Sequence, residues 1–132
     1  MQEVHLDTKK RSELVDITQR IRTLIPKEMD TGICIVYVPH TTAGITINEG
    51  ADPNVQDDII EQLNLIVPWD QSFFRHSEGN SAAHIKASLM GSSVSILIKN
   101  GELQLGTWQK VFFAEFDGPR RRKFWFTFIP EL

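Results

Sequence analysis

Hydrophobic positions in the first third of the chain follow the spacing of strands. Val4 and Leu6 alternate with polar and charged residues over 2–9, which predicts an opening strand with one buried face. Residues 33–38 form a continuous β-prone run, and this pattern predicts a buried strand. Residues 43–48 carry alternating apolar side chains and predict a partner strand.

Helical spacing and helix-boundary residues mark two further segments. Apolar residues recur at helical spacing over 17–25, where Asp16 is expected to cap the helix and Pro26 to end it. The pair Asp52-Pro53 joins a capping carboxylate to a proline at the first helical position. It therefore predicts the start of a second helix, which closes before Pro68.

The second half of the chain is predicted to be mostly strands. A third helix is expected over 82–90 and a strand over 94–98. Asn100-Gly101 is a strong hairpin signal, because both residues tolerate the positive φ angles of a tight turn. Two aromatic-rich strands are predicted over 107–117 and 123–129.

The order of these elements favours an α+β fold. About seven strands and three helices are predicted, with helices between the early strands and short turns between the late ones. Short turns join antiparallel strands, whereas parallel strands need long crossovers. We therefore expect one domain over 1–132, built as a mostly antiparallel sheet or sandwich.

Composition and charge exclude several classes of protein. Hydrophobic residues make up 41% and charged residues 23%, which excludes a disordered or fibrous chain. Fourteen basic and 17 acidic residues give a net charge of −3, so nucleic acid is not an expected partner. No apolar run approaches the roughly 20 residues of a membrane span, and the single cysteine, Cys34, allows no internal disulfide. These features predict a soluble cytoplasmic protein with no membrane partner.

Three of the four histidines fall at element ends or in loops, namely His40, His76 and His84. Imidazole is the commonest metal ligand, and three imidazoles leave an open position for water or substrate. Their spacing matches no local zinc motif. The alternative is that these residues are capping or partly exposed histidines.

A polar cluster follows the strand over 43–48. Asn48, Glu49 and Asp52 surround Gly50, and carboxylates here could hold a hard cation or act as acid and base. Asp52 is already explained as a helix cap. Glu49 has no such local explanation and is the stronger candidate for chemistry.

The residues before the third helix predict a seat for an anion. Gly79 permits a tight turn, and Asn80 and Ser81 present donors where the helix dipole favours phosphate. The alternative is an ordinary helix start that needs only Ser81 as its cap.

Other candidate phosphate contacts lie elsewhere along the chain. Thr41 and Thr42 offer two hydroxyl groups after His40. Arg120 begins the only basic run, 120–123, and a guanidinium matches phosphate geometry. The alternative for this run is a set of strand residues that face solvent or a neighbouring subunit.

Four stretches, in order, resemble the YjbQ-like family, whose members are commonly called secondary thiamine-phosphate synthases. They are His40–Glu49 (HTTAGITINE), His76–Ile85 (HSEGNSAAHI), Leu105–Gln109 (LGTWQ) and Glu115–Arg120 (EFDGPR). The resemblance covers nearly the whole chain. It implies a compact α+β subunit that forms a homotrimer.

The resemblance also implies a site and a metal. The site would be lined by the His-Thr-Thr-Ala-Gly segment and by Glu78, Gly79, Asn80 and Ser81, near a subunit boundary. A divalent metal, zinc or magnesium, would be carried by His40, His76 and His84.

Together these features predict a metal-assisted transferase that acts on phosphorylated heterocycles. In the thiamine-phosphate synthesis that the resemblance implies, an aminopyrimidine diphosphate would lose pyrophosphate, and a thiazole-phosphate nitrogen would take its place. Glu49 would polarise the pyrimidine or position a water. Two alternatives remain open: a metal-dependent hydrolase of a phosphorylated metabolite, and a non-enzymatic trimeric protein that binds a metabolite.

Overall fold

The structure is a computed structural model that describes all residues from 1 to 132. In chain order the elements are β1 (Gln2–Asp7), β2 (Glu13–Asp16), α1 (Thr18–Arg22), β3 (Gly32–Tyr37), β4 (Ala43–Glu49), α2 (Pro53–Ile66), α3 (Ser81–Met90), β5 (Ser93–Lys99), β6 (Glu102–Leu103), β7 (Gln109–Glu115) and β8 (Arg121–Pro130). None of the three helices combines the length and the apolar character that crossing a bilayer requires.

The strands form two sheets in which every pairing is antiparallel. One sheet has the order β1-β8-β3-β5-β6 and the other the order β2-β7-β4. The predicted α+β class and antiparallel sandwich are confirmed, with eight strands instead of about seven. The missed strand is β2, whose four residues are too few to show an alternation and are ordered by pairing with β7.

The hydrophobic core lies between the two sheets. Cys34 and Val36 of β3 and Phe126 of β8 face Ile45 of β4 and Phe113 of β7, and all five side chains are buried. Strict alternation along these strands puts every second side chain in the core. Burial raises the pKa of the Cys34 thiol to about 12, so this thiol stays protonated.

Helix α3 packs on the outer face of the three-stranded sheet, against β4 and β7. Ala83 and Ala87 of the helix form a second buried cluster with Ala114 of β7 and with Phe116, which follows that strand. A Cβ on Gly44 would lie 2.6 Å from the carbonyl oxygen of Gly91, so small residues on both sides permit this close approach. The packing brings the first turns of α3 next to the loop between β3 and β4.

The structure confirms the predicted helix cap at Asp52 and the predicted hairpin turn at Asn100-Gly101. Asp52 Oδ1 accepts a hydrogen bond from the Asn54 backbone N–H at 2.9 Å, which is the expected cap of α2. Asn100 and Gly101 have φ angles of +53° and +74° in the turn between β5 and β6, as the hairpin prediction requires.

The starts of the other two helices differ from prediction. Helix α1 covers only residues 18–22 of the expected 17–25, although Asp16 Oδ1 does accept the Thr18 N–H at 2.9 Å. Helix α3 begins at Ser81 itself, so the prediction of Ser81 as its cap was wrong. Asn80 holds the cap position without a side-chain cap bond, because its amide donates to Asp117 instead.

Candidate functional site

A pocket of about 610 Å³ lies where the end of β3 meets α3, and we call it the His40 pocket. This volume is within the range typical of small-molecule sites. The loop after β3 contributes the imidazole of His40 and the hydroxyl of Thr41, and α3 contributes the imidazole of His84 and the hydroxyl of Ser88. Tyr37 and Trp125, cross-strand neighbours on β3 and β8, complete the wall.

His40 is held by both sheets. Its Nε2 accepts a hydrogen bond from the backbone N–H of Lys123 on β8 at 3.0 Å. Its ring contacts Phe113 of β7 edge to face, with centroids 6.4 Å apart. Burial lowers the pKa of His40, and the nearby Arg122 guanidinium lowers it further. The imidazole is therefore neutral near pH 7.

A buried ion pair lies beneath this loop. Arg122 of β8 donates from Nε to Glu115 Oε1 of β7 at 2.8 Å, and from Nη2 to Thr42 Oγ1 at 2.8 Å. Thr8 Oγ1 also donates to Glu115 Oε1, at 2.6 Å. All four residues are buried. Thr42, predicted to contact substrate, has its hydroxyl engaged by Arg122 and takes part in the internal network.

Sequence reasoning missed the role of Arg122. The alternative for the basic run, that its residues face solvent or a neighbouring subunit, is wrong for Arg122 because its side chain is buried. The alternation of β8 contained the signal, since Arg122 has the same parity as the core residues Phe124 and Phe126. Burial alone would raise the pKa of Glu115, but the hydrogen bonds from Arg122, Thr8 and the Asp117 backbone outweigh it and hold that pKa below its usual range.

His76 and His84 face each other on the other side of α3. Their ring centroids are 5.3 Å apart with an interplanar angle of 85°. Both rings border a cavity of about 520 Å³, together with Ser81, Arg75 and the aromatic rings of Phe73 and Phe74. Since His84 also lines the His40 pocket, it separates the two spaces.

These histidines meet part of the requirement for a metal. Two imidazoles bound to one tetrahedral ion place their centroids about 5 Å apart, which the His76–His84 pair matches. Glu78 Oε2 lies 3.9 Å from His76 Nε2. However, no three His, Cys, Asp or Glu side chains are arranged around one point. The His76–His84 pair therefore supplies two imidazoles at a ligand-like separation, and His40 does not add a third ligand.

The predicted anion seat is partly occupied by protein contacts. Asn80 is buried, its Nδ2 donates to Asp117 Oδ2 at 2.8 Å, and its Oδ1 has no hydrogen-bond partner. Arg120 donates to the same Asp117 oxygen at 2.9 Å. Gly79 has a φ of +72°, which confirms the tight turn. Among the residues predicted to bind an anion here, Ser81 lines the cavity next to His76 and His84.

The acidic candidates lie at the opposite end of β4. Strand β4 has seven residues, from Ala43 next to the His40 loop to Glu49, and therefore spans about 20 Å. Asn48 Oδ1 accepts the Glu49 N–H at 2.7 Å, and Asp52 caps α2. Within one chain the structure therefore does not bring Asn48, Glu49 and Asp52 to the His40 pocket.

Comparison with known proteins gives a family for this chain. The family model described as "UPF0047 protein YjbQ-like" matches residues 2–131. The chain belongs to the YjbQ-like UPF0047 family. A YjbQ-like relative from Methanocaldococcus jannaschii, UPF0047 protein MJ1081, is 57% identical over 94% of this chain and 90% of its own length. UPF0047 protein YugU from Bacillus subtilis is 46% identical over 90% of this chain and 91% of its own length.

Solved structures of YjbQ-like proteins share the architecture. A Clostridium acetobutylicum protein described as an uncharacterized conserved member of the family superposes with a TM-score of 0.94 at 48% identity, over 98% of this chain and 100% of that one. The conserved hypothetical protein TT1486 from Thermus thermophilus gives 0.92 at 40% identity, over 98% and 100% of the two chains.

Proposed function

We propose that this protein is a transferase that binds a phosphorylated heterocycle in the His40 pocket and displaces pyrophosphate from it. The observation that carries the proposal is the lining of the pocket. The imidazoles of His40 and His84 lie beside the stacked rings of Tyr37 and Trp125, whose centroids are 5.8 Å apart. Aromatic faces accept a planar ring, and imidazoles and hydroxyls donate hydrogen bonds to phosphate oxygens.

The proposed reaction is a nucleophilic substitution. The ring nitrogen of a thiazole phosphate attacks the methylene carbon of an aminopyrimidine diphosphate and forms the new C–N bond. The C–O bond to pyrophosphate breaks, and its electron pair leaves with the pyrophosphate. In this proposal the side chains orient the two substrates and stabilise the negative charge that develops on the leaving group.

A divalent cation is part of the proposal. His76 and His84 would hold it, and imidazole ligands favour zinc over magnesium. Such an ion would neutralise part of the negative charge on the pyrophosphate. His84 borders both the His40 pocket and the His76–His84 cavity, so it would lie next to the leaving group whether the pyrophosphate is in the first space or in the second.

Self-association as a homotrimer is also proposed. The outer face of the five-stranded sheet exposes Ile33, Leu97 and Ile129, which are cross-strand neighbours. Contiguous exposed apolar side chains are typical of a subunit interface. Tyr37 and Trp125 have the same parity on their strands, so the His40 pocket opens at the end of this face. A partner subunit at this face would border the pocket and supply Glu49, Asn48 and Asp52.

We propose a cytoplasmic location for this activity, with a small phosphorylated metabolite and further copies of the chain as the partners. The single buried thiol of Cys34 supports a reducing compartment. The net charge of −3 supports neither a nucleic-acid nor an anionic-membrane partner.

Turnover of defined substrates tests the proposal. The purified protein is incubated with the aminopyrimidine diphosphate and the thiazole phosphate, with zinc or magnesium, and thiamine phosphate and pyrophosphate are quantified by chromatography. His84→Ala should reduce formation of both products about 100-fold or more. The matched control is His5→Ala, because His5 is exposed on β1 and its ring makes a hydrogen bond only to Glu3.

Two outcomes would contradict the transferase. Release of free phosphate without condensation, across a panel of phosphorylated metabolites, would support the hydrolase. Retention of a ligand without turnover under every metal condition would support a metabolite-binding protein.

A further inference from the structure

The ring of His40 has one fixed orientation. Its Nε2 lies 3.0 Å from the backbone nitrogen of Lys123, and a backbone N–H can only donate. Nε2 must therefore be the unprotonated nitrogen that accepts this bond. Phe113 packs edge to face against the ring and opposes its rotation.

This hydrogen bond determines the tautomer. A neutral imidazole carries one proton, so the proton of His40 must be on Nδ1 when Nε2 accepts from Lys123. The Nε2 lone pair is then engaged by the protein, and Nδ1 has no free lone pair. A metal ligand needs a deprotonated nitrogen with a free lone pair. In this orientation neither nitrogen of His40 meets that requirement.

The segment that supplies the N–H is itself rigid. Arg122 precedes Lys123 on β8, and its guanidinium is fixed by Glu115 and by the Thr42 hydroxyl. Thr42 is two residues after His40, so the same strand segment anchors the loop at two points. A ring flip at His40 would break the bond to Lys123 without offering that N–H another acceptor.

We propose that His40 binds the ligand of this pocket as a neutral Nδ1–H donor and is not a metal ligand. His40 lines the pocket, and Nδ1 has no hydrogen-bond partner within the protein. The bound atom is an acceptor oxygen of a diphosphate or phosphate group. The inference rests on the proposed function only for this choice of ligand, because the tautomer follows from the contact with Lys123.

This role gives His40 and the pair of His76 and His84 different tasks. A neutral donor stabilises an oxygen on which negative charge develops without a proton transfer. Any metal would be held by His76 and His84 without His40. The assignment of all three histidines to one ion is thus replaced by two imidazole ligands and one imidazole donor.

Nuclear magnetic resonance of ¹⁵N-labelled histidine tests the tautomer in the full-length protein. Long-range ¹H–¹⁵N spectra should show His40 with a protonated Nδ1 and an unprotonated Nε2 at pH 7. Addition of zinc should shift the nitrogens of His84 and leave those of His40 unchanged. Finding the proton on Nε2, or a zinc-induced shift at His40 like that at His84, would overturn the proposal.

Binding of inorganic pyrophosphate tests the donor by calorimetry. His40→Asn keeps an N–H at the δ position, whereas His40→Ala has none. We expect His40→Asn to bind pyrophosphate within about threefold of the parent protein and His40→Ala to bind at least about tenfold more weakly. Equal binding by the parent protein and His40→Ala would contradict the proposal.

Zinc affinity separates the proposal from metal ligation and from the transferase activity. Competition with a chromophoric chelator should give the parent affinity for His40→Asn and a loss of at least about tenfold for His84→Ala. A tenfold loss in His40→Asn would overturn the donor role. If these results hold but no substrate turns over, the transferase proposal fails and the role of His40 stands.

Discussion

At the scale of single residues, the ion pair of Arg122 and Glu115 joins the two sheets below the His40 loop. It is buried, and its members also make hydrogen bonds to the hydroxyls of Thr8 and Thr42 and to the backbone of Asp117. A buried pair contributes little when its attraction is offset by desolvation, but removal of one partner leaves an unpaired charge in the interior. The effect of a substitution therefore depends on whether one or both charges are removed.

Glu115→Gln should destabilise the fold by about 3–5 kcal/mol, because Arg122 then stays charged without a carboxylate partner. Urea unfolding at pH 7, followed by circular dichroism, measures the change. The control is the double variant Glu115→Leu/Arg122→Met, which removes both charges at similar volume and should cost less. An equal or larger loss in the double variant would contradict this explanation.

The same pair predicts a dependence of stability on pH. The folded-state pKa of Glu115 lies below the ordinary glutamate value of about 4.3. Its stabilising contribution is therefore complete above about pH 4.3 and is lost as the pH falls through the lower folded-state pKa. The free energies of unfolding of the parent protein and Glu115→Gln should differ most at neutral pH and converge towards pH 3. A constant difference over this range would contradict the assignment.

At the scale of elements, substitutions of Asp52 separate two roles for this carboxylate near Glu49, the capping of α2 and participation in catalysis. Its Oδ1 caps α2 by accepting the Asn54 N–H. Asp52→Ala should lower the free energy of unfolding by about 1 kcal/mol, and Asp52→Asn, which keeps an accepting oxygen, should cost a few tenths. Thermal unfolding measures both. If Asp52→Asn keeps its stability and loses turnover, the carboxylate has a chemical role beyond the cap.

The contact between β4 and α3 predicts a second effect at this scale. The Cβ of Gly44→Ala would lie 2.6 Å from the Gly91 carbonyl oxygen and 3.2 Å from Met90 Cβ. Because these are backbone and near-backbone atoms, the helix must shift, and we expect a loss of about 1–3 kcal/mol. The control is Gly106→Ala, whose Cβ would meet only the flexible side chain of Gln109 at 3.3 Å. Equal losses in the two variants would contradict the close-packing explanation.

The elements also show what the sequence could predict. A continuous β-prone run identified β3 and alternation identified β4, and the local chemistry of Asp52-Pro53 and Asn100-Gly101 identified a helix start and a hairpin. Strand β2 and the cap of α3 were missed because both depend on distant partners. Strand β2 pairs with β7. The side chain of Asn80 donates a hydrogen bond to Asp117 and makes none to the first turn of α3.

The candidate site shows the same limit. The sequence identified histidines at element ends, and the structure does bring His84 next to both His40 and His76. It could not show that the Lys123 N–H bonds to His40 or that Arg122 bonds to Thr42, because these contacts join residues about 80 positions apart. It also grouped Glu49 with the histidines, although β4 separates them within one chain.

At the scale of the whole molecule, the distance of about 20 Å between Glu49 and the His40 loop of the same chain leads to a prediction about sites shared between subunits. If Glu49 of one subunit completes the His40 pocket of the next, a trimer built from two inactive variants contains some intact sites. Each such site needs His84 from one chain and Glu49 from its neighbour. Random assembly of equal amounts of His84→Ala and Glu49→Ala chains should therefore give about one quarter of the parent activity.

The measurement starts from the two variants, each with turnover below about 1% of the parent protein. They are mixed, dissociated in mild urea and reassembled, and sedimentation then confirms the trimer before activity is measured. The same treatment of a mixture of His84→Ala and His40→Ala serves as the control, because both residues line one pocket of one chain and no intact site can form. Recovery in the first mixture and none in the second would place Glu49 across the boundary. No recovery in either, with trimers present, would mean that Glu49 does not complete the His40 pocket of a neighbouring subunit, and the proposal of a shared site would then be wrong.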